Sequence, residues 1–220
     1  MSKVLAFFDL DHTVLSKNTG VLYALFALRQ GHISALDTLR SLRWAFLHRL
    51  GKLDVDRAYA KAGALFRGES GPLLQSEAHA WFEREVMRHV RPGARAAIAR
   101  HRAQGHATVL LTNSSSFIAE AACAALGLDA WLANDILLDE HGLITGHVPR
   151  PLCYGHGKVT HARGFAHARG AQLLDAWFYS DSISDLPMLT EVGTPVVVHP
   201  DRRLLRVARE RGFAVVNWDD

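Results

Sequence analysis

Two acidic residues, Asp9 and Asp11, stand one residue apart directly after the apolar run Val4 to Phe8. If extended geometry persisted past that run, both side chains would point to the same face. Paired carboxylates can divide labour: one attacks or binds a metal, and the other moves a proton. Asp181 and Asp185 follow a later apolar run, four residues apart across the predicted start of a helix. Their oxygens suit a hard cation. Thr112 offers a hydroxyl donor, and the backbone N–H groups of Asn113 to Ser115 open a predicted helix, a place suited to phosphate. Lys158 supplies the cation that an anion-handling site needs. Taken singly, each feature has an ordinary structural use as a solvated turn, a helix cap or a surface lysine. Their weight comes from their order and from the elements that must position them.

Val4 to Phe8 reads as a strand buried on both faces. From Thr19 to about His89 apolar residues recur at helical spacing, as in Val21, Leu22, Leu25 and Leu28 and again in Leu39, Leu42, Phe46 and Leu50. Gly31, Gly51 and the run Gly68 to Pro72 punctuate this block of about four helices. After Arg91-Pro92-Gly93 the pattern alternates. A helix is expected over 94–104, a strand over 106–111, and a helix over 115–126 capped by Asn113 or Ser114 and closed at Gly127. The segments 136–138 and 143–144 read as a hairpin. Then come a helix over 158–169, a strand over 176–179, a helix over 185–192, a strand over 195–198, a helix over 201–211 and a strand over 214–216.

The fold class is therefore α/β: a Rossmann-like parallel sheet core with an inserted all-helical cap. Residues 1–16 plus 90–220 form the expected core, and 17–89 the cap inserted after the first strand. In such sheets ligands bind beyond the carboxyl ends of the strands. The polar runs 9–13, 112–114 and 180–182 all fall there.

Composition narrows the function classes. The 220 residues are 49% apolar, which supplies a sizeable core. A net charge of +3 is mildly basic and too weak to argue for nucleic acid. Cys123 and Cys153 form no close pair and no zinc-type cluster. Charge returns at Asp9, too soon for a signal peptide, and no apolar stretch reaches the length of a spanning helix. The expectation is a cytoplasmic protein without stable membrane insertion. The segment Thr38 to Lys52 is basic and amphipathic, a pattern shared by membrane-surface helices and by ordinary cap helices. The sequence leaves the oligomeric state open.

The whole set of motifs has a family resemblance. Asp9-Leu10-Asp11-His12-Thr13, preceded by Phe7-Phe8, resembles the first motif of the haloacid dehalogenase (HAD) superfamily. Leu110-Leu111-Thr112 resembles its second, Lys158 its third, and Tyr179-Ser180-Asp181-Ser182-Ile183-Ser184-Asp185 its fourth. The order is right, and the resemblance spans nearly the whole chain. The helical insert and the form of motif four resemble subfamily IB, which contains phosphoserine-phosphatase-like hydrolases and some histidinol-phosphatases. The resemblance implies that Asp9 attacks phosphorus and forms an aspartyl-phosphate, while Asp11 protonates the leaving alcohol and then activates water. It implies Mg²⁺ held by the Asp9 carboxylate, the Asp11 carbonyl and Asp181, with Asp185 ligating or supporting. Thr112 and Lys158 would hold phosphoryl oxygens, and His12, Thr13, Asn18, Asn113 and Ser114 would border the phosphate and substrate.

Two departures move the substrate away from phosphoserine. The phosphoserine enzymes carry an acidic residue shortly after motif one, where this chain has Ser16-Lys17-Asn18-Thr19. They carry Gly-Gly after the motif-two hydroxyl, where this chain has Asn113-Ser114. The expectation is a phosphatase for a small phosphorylated metabolite, with histidinol phosphate one candidate. The alternatives are phosphotransfer to an acceptor other than water and a non-catalytic phospho-ligand binder.

Overall fold

The computed structural model describes residues 4–49 and 54–219. The expected turn at Gly51 and the residues Leu50 and Lys52 lie outside that range, as do the side chains of Phe46, His48 and Arg49. Six strands form one parallel sheet: β1 (Leu5–Phe8), β2 (Ala107–Ser115), β3 (Ala130–Asn134), β4 (Trp177–Ser180), β5 (Thr194–Val198) and β6 (Ala214–Val216). Their spatial order is β3-β2-β1-β4-β5-β6. The order reverses at β1, so the chain segment after β1 sits at the switch point where open α/β sheets bind ligands.

The period of two along β1 explains the two cores. Ala6 and Phe8 face one way and join Leu110, Tyr179 and Val198. Leu5 and Phe7 face the other and join Val109, Leu111, Phe178 and Val197. Helices α5 (Pro92–Ala103) and α6 (Ser116–Leu126) cover the first face, through Ala97, Ile98, Ala119 and Ala122. Helices α7 (His156–His167), α8 (Leu186–Leu189) and α9 (Arg202–Arg211) cover the second, through Val159, Ala162, Met188 and Leu204.

Between β1 and α5 the chain inserts the helices α1 (Thr19–Gln30), α2 (Ala35–Arg49), α3 (Val55–Leu65) and α4 (Gly71–Trp81). Capping side chains start three of them: Asn18 accepts from Val21, Asp54 from Arg57 and Ser70 from Leu73. The insert is anchored rather than loosely tethered. Phe26, Trp81, Phe82 and Val86 belong to the same buried cluster as Phe8 and Ile98. Among the described residues no helix is long and apolar enough to cross a membrane.

Several local expectations change. The strand β3 lies between Gly127 and residue 136, where the sequence assigns no element. The expected hairpin at 136–144 forms, with Leu138 bridged to Ile144, Asp139 N–H donating to Leu143 O at 2.9 Å and Thr145 N–H to Leu137 O at 2.9 Å. Its outer edge pairs with the insert as well: Gly68 N–H donates to Ile144 O at 2.9 Å, Ile144 N–H to Glu69 O at 2.9 Å, and Gly71 N–H to Gly142 O at 2.9 Å. The helix expected over 185–192 shortens to α8 behind a 3-10 turn at Ile183–Asp185.

Candidate active site

The chain leaves β1 through a tight turn, Leu10–Val14, in which His12 takes φ 60°, ψ −6°. That left-handed conformation is rare for a residue with a side chain, and such strain gathers at functional sites. Backbone bonds hold it closed: Val14 N–H donates to Asp9 O at 3.3 Å and Leu15 N–H to Leu10 O at 2.9 Å. The turn corrects the expectation of continued strand geometry, because it gives the two aspartates different partners.

Asp9 is buried. Its Oδ1 accepts from Lys158 Nζ at 2.6 Å and its Oδ2 from Thr13 Oγ1 at 3.2 Å. Asp11 is half-buried and is held from the insert. Asn18 Nδ2 donates to its Oδ2 at 2.9 Å, and Thr19 N–H to its Oδ1 at 2.8 Å. Asn18 thereby does two jobs, capping α1 with its oxygen and fixing Asp11 with its nitrogen.

Lys158 is 2% exposed and bridges two carboxylates, Asp9 and Asp185, the latter at 2.7 Å. Its placement depends on Gly157, where a Cβ would lie 1.8 Å from Leu152 O. Asp185 Oδ2 also accepts from the buried Ser180 Oγ at 2.7 Å. Asp181 is joined to Asp9 through Thr13, whose hydroxyl lies 3.1 Å from Asp181 Oδ1. Asp201 props this loop, capping α9 while accepting from Ile183 N–H at 2.8 Å.

Electrostatics follow from this packing. Burial pushes the Asp9 carboxyl up to about 7, with Lys158 pulling against it and Asp185 and Asp11 adding to the rise. Burial, then Asp9 and Asp185, hold Asp181 well above the ordinary carboxylate range. Burial draws the Lys158 ammonium down, but Asp185 and Asp9 more than offset it, so the group stays charged. Asp9, Asp11, Asp181 and Asp185 thus line one cavity beside two buried cations, Lys158 and Arg91. Among the described residues no three His, Cys, Asp or Glu side chains form a ready metal cage.

Thr112 ends the buried part of β2, and its Oγ1 accepts from Ser114 N–H at 3.1 Å. The cap of α6 is Ser115, not Asn113 or Ser114, and its side chain makes no capping bond. Asn113 is tied to β3 through Asn134 Nδ2, at 2.8 Å to its carbonyl and 3.1 Å to its side chain. Ser114 Oγ is 2.9 Å from Thr19 Oγ1. Of the site residues expected from the sequence, all but the fully buried Thr13 line one cavity of about 1130 Å³, His12 and Asn18 included.

Sequence reasoning missed three residues that line the cavity. Arg91 reaches from the start of α5 to His12 O at 3.4 Å and pairs with Asp219. Its Nε is buried without a hydrogen-bond partner. Tyr59 of α3 reaches Asn134. Asn134 links β2, β3 and Cys153 N–H. None carries a local motif; only the hidden strand at 130–134 could have pointed to Asn134.

A family model for haloacid dehalogenase-like hydrolases matches residues 6–190. The chain belongs to that family. A histidinol-phosphatase from Neisseria meningitidis is 28% identical, covering 98% of this chain and 99% of its own length. A probable phosphatase from Mycobacterium tuberculosis is 31% identical, covering 99% of this chain and 76% of its own. A Bordetella pertussis protein of unknown function superposes with a TM-score of 0.88 at 26% identity, covering 98% of this chain and 99% of that one. This HAD-like hydrolase therefore shares its fold with the Bordetella protein and aligns with the Neisseria protein over 98% of the chain.

Proposed function

We propose that this HAD-like hydrolase is a magnesium-dependent phosphatase acting on a small phosphate monoester through a phosphoryl-Asp9 intermediate. The observation that carries the reading is the cluster around Asp9. One fixed ammonium, Lys158, touches two buried carboxylates, and a third is linked through Thr13.

The residues present fit a divalent cation. Burial and mutual repulsion raise the Asp9 and Asp181 carboxyls, a charge deficit that two positive charges would relieve. Mg²⁺ commonly uses one or two carboxylates plus water and substrate phosphate, so a full protein cage is not required. Asp9, Asp181 and the Asp11 carbonyl would hold it, with Asp185 in support. When bound, it would neutralise the phosphoryl oxygens and keep Asp9 ionised.

The chain's own groups supply the rest. An Asp9 oxygen bonds to phosphorus as the ester P–O bond breaks, and Asp11 gives its proton to the departing alkoxide. Water then bonds to phosphorus, the P–OAsp9 bond breaks, and Asp11 takes the proton. Asn18 and Thr19 orient Asp11 for both transfers, which is worth more than its acidity alone. Lys158 and Thr112 would hold phosphoryl oxygens, while His12, Asn113 and Ser114 shape the surrounding wall. In this reading the helices within 17–89 cap a core of 1–16 plus 90–220.

The test is phosphate release from an aryl phosphate. It should require Mg²⁺, stop with chelator and vanish in Asp9→Asn. Phosphate appearing on an added alcohol instead of in solution would mark a phosphotransferase. No turnover with any divalent metal would leave a phospho-ligand binder.

A further inference from the structure

The cavity has two chemically different ends. At the sheet end stand Asp9, Asp11, Asp181, Asp185, Lys158 and Arg91. At the cap end the lining is Leu42, Trp44, Leu65, Phe66 and Leu74, closed from the core side by Ile144. Among the described lining residues of the insert, Lys17 at its very start carries the one formal charge, and none is Asp or Glu. The charged lining residues Lys17, Asp135 and Arg203 are exposed.

We infer that the leaving group is an uncharged, largely apolar alcohol, so that the substrate is the phosphate monoester of an alkyl or aryl alcohol. This rests on the phosphatase reading above and names the part of the substrate that the reading leaves open. An ammonium or carboxylate pressed against Leu42, Trp44 and Phe66 would lose its hydration without gaining a partner, which disfavours it strongly. The volume argues the same way. At about 1130 Å³ the cavity exceeds the ~300–1,000 Å³ usual for small-ligand sites, far more than a phosphoserine needs.

The apolar wall is also built to persist. A Cβ on Gly63 of α3 would sit 2.6 Å from Gly146 O, so α3 and the segment 142–146 touch through bare backbone. That segment's bonds to residues 68–71 lock the contact. Tyr59 stands at the border of the two ends, with its phenol reaching Asn134. Burial pushes that phenol above its ordinary range, so it stays neutral and can donate to an ester oxygen without adding charge.

The test is kcat/KM for ethyl, butyl and hexyl phosphate with Mg²⁺, beside phosphoserine and histidinol phosphate. Each added methylene should raise kcat/KM about fourfold, so hexyl should exceed ethyl by at least about a hundredfold. Both ammonium-bearing esters should fall below hexyl phosphate. A flat chain-length series, or phosphoserine turned over better than hexyl phosphate, would overturn the inference. Ala62→Phe fills the apolar end from α3 and should lower the hexyl-to-ethyl ratio about tenfold or more. An unchanged ratio would count against it. If no ester is hydrolysed at all, the phosphatase reading fails; if all are hydrolysed without preference, only the leaving-group inference fails.

Discussion

Replacing Lys158 with Met keeps the length and apolar stem of the side chain but removes the charge between Asp9 and Asp185. Both contacts are short, 2.6 and 2.7 Å, and the ammonium is 2% exposed. Removing one partner of a buried ion pair costs about 3–5 kcal/mol, because the remaining charge is left without compensation. Asp9 can escape part of that cost by protonating, since burial already lifts it to about 7. A folded-state pKa above the unfolded value favours the fold below the ordinary carboxylate range and loses that advantage as pH rises through the folded value. The deficit in Lys158→Met should therefore be small in mild acid and larger near pH 8, rising with pH because losing Lys158 lifts Asp9 further. Taking ~3 kcal/mol there, and ~2–4 °C per kcal/mol for a chain of this size, the midpoint should drop by ~6–12 °C. Thermal unfolding at pH 6 and pH 8 in chelator measures it. Adding Asp9→Asn to Lys158→Met should restore part of the loss, a non-additivity expected of groups in contact. An unchanged midpoint at pH 8, or a double variant less stable than the sum of the singles, would refute the reasoning.

Gly157→Ala should be one of the most damaging small substitutions, because its methyl meets the Leu152 carbonyl at 1.8 Å and shifts the turn that carries Lys158. A stability loss of ~1–3 kcal/mol with a fall in kcat is expected from denaturation and rate measurements. Thr112→Ala should lower kcat by ~10²-fold as a single lost donor, with Thr112→Ser largely retaining it. His101 is fully buried between Tyr179 Oη and His106 Nδ1, at 2.8 Å from each. Burial, helped by His106 and Arg100, lowers its pKa to about 4. The unfolded chain then binds the extra proton, so this contribution is present above pH ~6.5 and fades as pH falls toward ~4, by about 3 kcal/mol. Stability against pH should flatten over that limb in His101→Gln.

Much of the site was legible because its residues lie directly after strongly apolar strands. Phe8 before Asp9 and Tyr179 before Ser180 mark strand ends, and the sheet sets Phe8 beside both Tyr179 and Leu110, two residues before Thr112. The hidden strand β3 reads Ala-Trp-Leu-Ala-Asn, without a β-branched residue, and only its last two residues are buried. Its pairing with β2, not its own propensity, makes it extended. The hairpin at 136–144 was legible from its turn residues, and what the sequence does not announce is that its outer edge also bonds to residues 68–71, far away in sequence. The strained turn at His12 was invisible because nothing in Leu-Asp-His-Thr-Val announces a left-handed residue. Arg91 and Tyr59 reach the cavity through tertiary packing, and one sequence carries no signal for that.

The central claim is that Asp9 carries the phosphoryl group. Enzyme quenched in acid during turnover of a phosphate-labelled ester should hold the label on the peptide containing Asp9. Hydroxylamine should release it, and Asp9→Asn should show none. Steady turnover with no trapped label at Asp9, or with label on another residue, would contradict the account.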